Sequence, residues 1–117
     1  MTNVHIIYSN DYGIALFWQK DNVMLSKKMQ LVFRNTGLNL NHKEVVVFSK
    51  NITSALTKNK SCRDCKLKGE CKSILLKTSE PQVSFAMSFK ELIPWKDLVQ
   101  GTLFTLELAE IIKSLNN

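Results

Sequence analysis

The chain has 117 residues, of which 44% are apolar and 22% charged, and carries a formal net charge of +6. This length and balance describe one globular domain that can close a core without disulfides or metal. No segment approaches the roughly 18 apolar residues of a membrane span, and the opening MTNVHIIYSN has neither the basic start nor the apolar run of a secretory leader, so a cytoplasmic, bacterial-type protein with no membrane partner is expected.

In chain order, Val4 to Tyr8 is a short β-rich run, Ser9-Asn10-Asp11-Tyr12-Gly13 is a turn signal, and Ile14 to Trp18 is a second run, which together predict a β-hairpin. Lys20-Asp21-Asn22 breaks the chain again. Met29, Leu31 and Phe33 alternate with Gln30 and Val32 in a third strand, and Asn35-Thr36-Gly37 turns into Leu38-Asn39-Leu40, whose leucines share one face. Asn41 is then followed three places later by Glu44, a capping box that satisfies two free helix amides. A helix to about Thr57 is expected, with Val45, Phe48, Ile52 and Leu56 turned toward a sheet.

After a basic loop the pattern recurs. Ile74 and Leu76 alternate, Ser79-Glu80-Pro81 turns, and Val83, Phe85 and Met87 alternate. Ser88 and Glu91 then form a second capping box ahead of Leu92, Trp95, Leu98 and Val99. Laying Glu44 over Glu91 superposes Leu38 on Phe85, Leu40 on Met87, Phe48 on Trp95 and Ile52 on Val99, so a duplicated ββα unit is expected. Pro94 removes a helix bond if it lies inside. Either the helix is kinked there or, as the favoured reading has it, Pro94 opens the true helix and Ser88 to Ile93 is a 3₁₀ turn. Gly101 is expected to end that helix and Thr102 to cap a third one, whose Phe104, Leu108, Ile111, Ile112 and Leu115 form a broad apolar stripe with Leu103 and Leu106 off it. A terminal helix apolar on more than one side packs on a second chain as well as on its own sheet, which predicts a homodimer through this helix.

The segments MQLVFRNTGLNLNHKEVVVFSKNI and SILLKT...VSFAMSFKELIPWKDLV resemble a family of small, functionally uncharacterised bacterial domains. The resemblance covers most of the chain and implies an α+β fold and no activity. Many relatives in that family carry a Cys-x-x-Cys just before the strand matching LVFRN. Gln19 to Lys28 holds no cysteine, so whatever that pair does is absent here or has moved to the later loop.

That loop, SCRDCKLKGECKS, holds all three cysteines, and their odd number argues against a disulfide framework. Cys62, Cys65 and Cys71 have ligand spacing for a structural zinc, with Gly69 turning the chain between the last two. Zinc and iron–sulfur sites need four ligands when closed. His42 is the candidate fourth, and His5 is a second histidine to consider. The spacing is similar to part of the cluster-binding extension of radical-SAM maturases, but Leu75 stands where the next cysteine belongs and no Cys-x3-Cys-x2-Cys occurs, which excludes that enzyme class. A thiol redox or iron–sulfur protein is a third reading: Arg63, Lys66 and Lys72 favour thiolates, but no strand-CxxC-helix context surrounds them.

Lys58, Lys60, Arg63, Lys66, Lys68, Lys72 and Lys77 face only Asp64 and Glu70, so residues 58–77 carry most of the net charge. Such a window can contact phosphates, which makes a nucleic-acid-binding accessory protein the alternative function. Against it, Lys50 through Gln82 contains no Phe, Tyr or Trp for base stacking.

No phosphate-binding glycine loop, GxSxG or HExxH is present, Glu44 and Glu91 are explained as caps, and Trp18 and Trp95 read as core, so an enzyme is not expected. The reading is one α+β domain over 1–117: a mostly antiparallel sheet of about six strands with three helices, in halves 1–57 and 74–117 joined by the basic cysteine loop 58–73. The expected function is non-catalytic binding or regulation through protein contacts.

Overall fold

The computed structural model describes residues 2–58 and 74–115. It is an α+β fold with antiparallel sheets. β1 (Thr2–Ser9) and β2 (Gly13–Lys20) form the first hairpin, β3 (Val23–Met24) adds a short strand to β2, and β4 (Met29–Phe33) and β5 (Thr36–Leu40) form the next hairpin. The strands lie in the order β1-β2-β4-β5, with β3 paired to β2 off that path. After α1 (His42–Lys58), β6 (Ile74–Lys77) and β7 (Ser84–Met87) make a separate two-stranded sheet, and α2 (Phe89–Leu115) follows.

Local chemistry explains the turns. Between β1 and β2, the Asn10 side-chain oxygen accepts from the amides of Tyr12 and Gly13 at 2.9 and 3.0 Å, an Asx turn that sets the hairpin. Asp21 and Asn22, at φ of 53° and 66°, supply the two left-handed residues that a tight β2–β3 turn requires. The pair read from sequence as a simple break thus makes a hairpin, and β3 escapes periodicity because it is two exposed residues long.

Both capping boxes close as expected. The Glu44 amide donates to the Asn41 side chain at 2.8 Å and the Asn41 amide to Glu44 at 3.0 Å. The Glu91 amide donates to the Ser88 hydroxyl and the Ser88 amide to Glu91, each at 3.1 Å.

One apolar core joins these parts. Ala15, Phe17, Met29, Leu31, Phe33 and Leu40 point from the larger sheet, Val45, Phe48 and Ile52 from α1, Ile74, Leu76 and Met87 from the small sheet, and Leu92, Trp95, Leu98 and Val99 from α2. Register places them together: Ala15 pairs with Leu31, so the face they share carries Phe17 and Met29 as well.

Four expectations are corrected. Two helices are present among the described residues rather than three, because α2 runs unbroken through Pro94 and Gly101. Interior proline costs about 3 kcal/mol, yet Trp95, Leu98 and Val99 follow it at 1, 0 and 0% exposure. Burying three such side chains contributes roughly 1.5–3 kcal/mol each, which outweighs the break. Thr102 does not cap a new helix: its hydroxyl donates backward to the Leu98 carbonyl at 2.6 Å.

The sheet of about six strands is instead a five-stranded and a two-stranded sheet. Trp18, read as core, is 45% exposed and donates from Nε1 to Gln30 at 2.6 Å.

Candidate functional site

The cysteine loop, with Cys62, Cys65 and Cys71 and the basic residues Lys60, Arg63, Lys66, Lys68 and Lys72, lies outside the described residues. His42 is exposed as the first residue of α1, and His5 is exposed in β1. The chain leaves α1 at Lys58, about 24 Å along the helix axis from His42. Among the described residues no three His, Cys, Asp or Glu side chains come close enough to hold a metal ion. Lys58 and Lys77, the two ends of the basic window, do come together: both line a shallow cavity of about 240 Å³ with Asn51, Ser54, Ala55 and Leu75.

α2 carries the clearest surface feature. At 3.6 residues per turn, Phe104, Leu108, Ile111 and Leu115 lie about half a turn from the line of Trp95, Leu98, Thr102 and Leu106. The second line sets the phase, because Trp95, Leu98 and Thr102 are wholly buried and Leu106 is packed on the core. The sequence left open which of these apolar lines faces the core. Leu103 and Leu106 pack inward, while Phe104, Leu108, Ile111, Ile112 and Leu115 face outward. No helix of the described residues is long and apolar enough to cross a membrane.

The N-terminal half of α2 is clasped to the first hairpin. The Tyr8 hydroxyl donates to both carboxylate oxygens of Asp97 at 3.0 Å, and the Asn10 side-chain amide donates to Asp97 at 2.9 Å and to the Pro94 carbonyl at 3.0 Å. The bond to Asp97, then desolvation, then the Asp97 charge raise the Tyr8 pKa above the ordinary tyrosine value.

A second centre forms where the β4–β5 turn meets the start of α2. Tyr12 stacks on Phe33 at 5.2 Å between ring centroids, Phe33 stacks on Trp95 at 4.4 Å, and Phe48 meets Trp95 edge-on at 5.4 Å. Arg34 caps this row, its guanidinium carbon 5.2 Å from the Tyr12 centroid and 5.7 Å from that of Phe33. Its Nη2 donates to the Tyr12 hydroxyl at 3.3 Å and lies 3.5 Å from Glu91. Arg34 is the first residue of a two-residue turn at φ 55°, where a side chain costs about 1–2 kcal/mol that glycine would avoid. Sequence reasoning passed over it. The readable signal was an arginine where tight hairpins prefer Gly, Asn or Asp.

No family model, curated protein or solved structure matches the chain.

Proposed function

We propose that this chain is a non-catalytic binding domain that acts through protein contacts and does so as a homodimer, with the outward face of α2 as the dimer contact. The observation that carries the reading is that face: Phe104, Leu108, Ile111, Ile112 and Leu115 are 43% to 80% exposed on a helix whose opposite side is already packed. A helix apolar on all sides belongs in an interior. These five side chains leave roughly 500 Å² of mostly apolar surface in water, against about 800 Å² per partner in a standard interface, so flanking residues complete the contact. Two α2 helices crossing about a two-fold axis present the same residues to each other, as an isologous dimer requires.

The test is sedimentation equilibrium on the full chain and on Phe104→Glu/Ile111→Glu. The reading expects a dimer that becomes monomeric in the variant with an unchanged circular dichroism spectrum. A wild-type monomer throughout the micromolar range would sink it.

Within the same reading, β4-β5-α1 and β6-β7-α2 are two copies of one ββα unit. Support comes from the matched capping boxes and from matched burial: Val45 and Leu92, and Ile52 and Val99, are all wholly buried. Phe48 and Trp95, equivalent in the two units, pack against each other. Cys62, Cys65 and Cys71 hold a structural zinc in the connection between the units, with His42 or another group as fourth ligand; metal analysis of protein purified without chelator tests this, and substoichiometric zinc removes it. The convergence of Lys58 and Lys77 favours nucleic-acid binding as the second reading. Mixed oligonucleotides titrated across a salt series test it, and weak, salt-independent binding refutes it.

A further inference from the structure

Both sheets end in a strand whose second edge is unpaired among the described residues. β5 pairs only with β4 and β7 only with β6, and no ladder joins β5 to β7. The β4–β5 hairpin has the two-residue loop Arg34-Asn35, so its closing pair, Phe33 and Thr36, is hydrogen-bonded. Bonding alternates along such a ladder, which directs the backbone amides and carbonyls of Gly37 and Asn39 away from β4. No backbone bond from a turn or loop of the described residues reaches them.

The two free edges face each other across one groove. Leu38, Asn39 and Leu40 line a cavity of about 350 Å³ opposite Ser79, Glu80 and Val83, which lead into β7. Thr36 lines a second, of about 530 Å³, opposite Phe85, Ala86 and Met87 of β7. Successive side chains of a strand point to opposite faces, so three consecutive residues line one cavity where its wall is the strand edge itself. Phe48 of α1 lines the first cavity and Trp95 of α2 the second, which gives the groove an apolar floor. Edges are commonly guarded by a lysine, a proline or a bulge. Thr36–Leu40 and Ser84–Met87 contain none of these. Charge gives the groove a direction: Glu44 and Glu80 outnumber Lys28 at the Leu40 end, whereas Arg34 and Glu91 at the other end lie 3.5 Å apart and balance.

We propose that the groove between β5 and β7 binds an extended peptide segment of a partner protein, added as a strand antiparallel to β5. Its backbone exchanges hydrogen bonds with Gly37 and Asn39. Apolar side chains opposite Leu38 and Leu40 turn toward the floor, and a lysine or arginine at its N-terminal end meets Glu44 and Glu80. The added strand joins the two sheets into one. Such a segment supplies a partner for the protein-contact reading, on which it rests, but it is separate from the dimer because none of the groove residues lies on the outward face of α2.

The experiment titrates the full-length ¹⁵N-labelled chain to millimolar with a mixture of acetyl-Lys-Xaa-Thr-Xaa-Thr-amide peptides, Xaa being Val, Ile, Leu or Phe. The Xaa side chains fall opposite Leu40 and Leu38, and the threonines opposite Asn39 and Gly37. The expected result is a saturable downfield shift of the Gly37 and Asn39 amide resonances, while that of Val4, on the free edge of β1, stays in place. N-methylation of both threonine amides is expected to weaken binding about tenfold, and glutamate in place of the peptide lysine about threefold at low salt. Asn39→Pro removes an outward amide at an edge position where proline is tolerated, and is expected to weaken binding about fivefold. Unmoved Gly37 and Asn39 resonances, full affinity of the N-methylated peptides, or an Asn39→Pro protein with a native spectrum and full affinity would each overturn the proposal. The same shifts on concentrating the chain without peptide would assign the groove to a second copy and overturn it too. Sedimentation reads the dimer separately, so a failed titration leaves a dimer standing and a monomer leaves the peptide site standing.

Discussion

Replacing Gly101 with alanine sets two opposed effects against each other at one position of α2. Alanine is favoured over glycine in a helix interior by about 1 kcal/mol. The new Cβ, however, lies 2.5 Å from Cε1 and Cε2 of Tyr8. Carbon atoms make favourable contact at about 3.5 Å, so the ring must retreat by roughly 1 Å. It is not free to do so, because its hydroxyl is bonded to Asp97 on the same helix.

Overpacking of this kind costs about 1–3 kcal/mol, which leaves Gly101→Ala destabilising by about 1 kcal/mol, or about 4 °C in Tm for a domain of this size. In a Tyr8→Ala background the clash is gone and the same substitution should stabilise by about 1 kcal/mol, giving a coupling near 2 kcal/mol. Urea unfolding of the four proteins at one fixed protein concentration measures the cycle. Should Gly101→Ala change stability with the same sign in both backgrounds, the account of Gly101 as a seat for the Tyr8 ring is wrong.

Gly13→Ala places its Cβ against the Val32 backbone carbonyl, which cannot swing aside as a side chain can. It should cost about 3 kcal/mol or abolish folding, as read by urea denaturation. Asn41→Ala and Ser88→Ala each remove a cap and should cost about 1 kcal/mol, with Ser88→Ala the larger because its box is buried. Alkaline absorbance titration should show a late phenolate that Tyr8→Phe deletes. Because the folded pKa of Tyr8 is raised, its contribution to stability is fully present below the unfolded value near 10 and is lost as pH climbs through the folded value.

Most of the strand and helix positions could be read from sequence, because they follow from alternation at period two and from two capping boxes that close in space. What was hidden in α2 shares one cause. Pro94, Gly101 and Thr102 each carry a local signal for a helix boundary, and each is overridden by a distant contact. Burial of Trp95, Leu98 and Val99 offsets the proline, the Tyr8 ring occupies the space beside the glycine, and the Leu98 carbonyl takes the threonine hydroxyl.

The facing of the apolar stripe, which the sequence left open, has the same origin. Phe104, Leu108, Ile111 and Leu115 look more apolar than Leu103 and Leu106, but a continuous helix inherits its phase from its buried first half. At the aromatic centre the sequence shows Arg34 in a tight turn. It does not show that β4, α1 and α2 align Phe33, Phe48 and Trp95 beside it, since those residues are far apart in the chain.

All five strands of the larger sheet precede α2, yet Leu92, Trp95, Leu98 and Val99, among the most deeply buried residues, arrive with that helix. A ribosome therefore releases Ala15, Phe17, Leu31 and Phe33 well before their cover exists. At about 5–20 residues per second, the interval between Leu40 and Trp95 lasts roughly 3 to 11 seconds. For that time the nascent chain presents an apolar sheet face to the cell, which makes it a substrate for chaperones, and a pause in translation between the two helices would prolong its exposure.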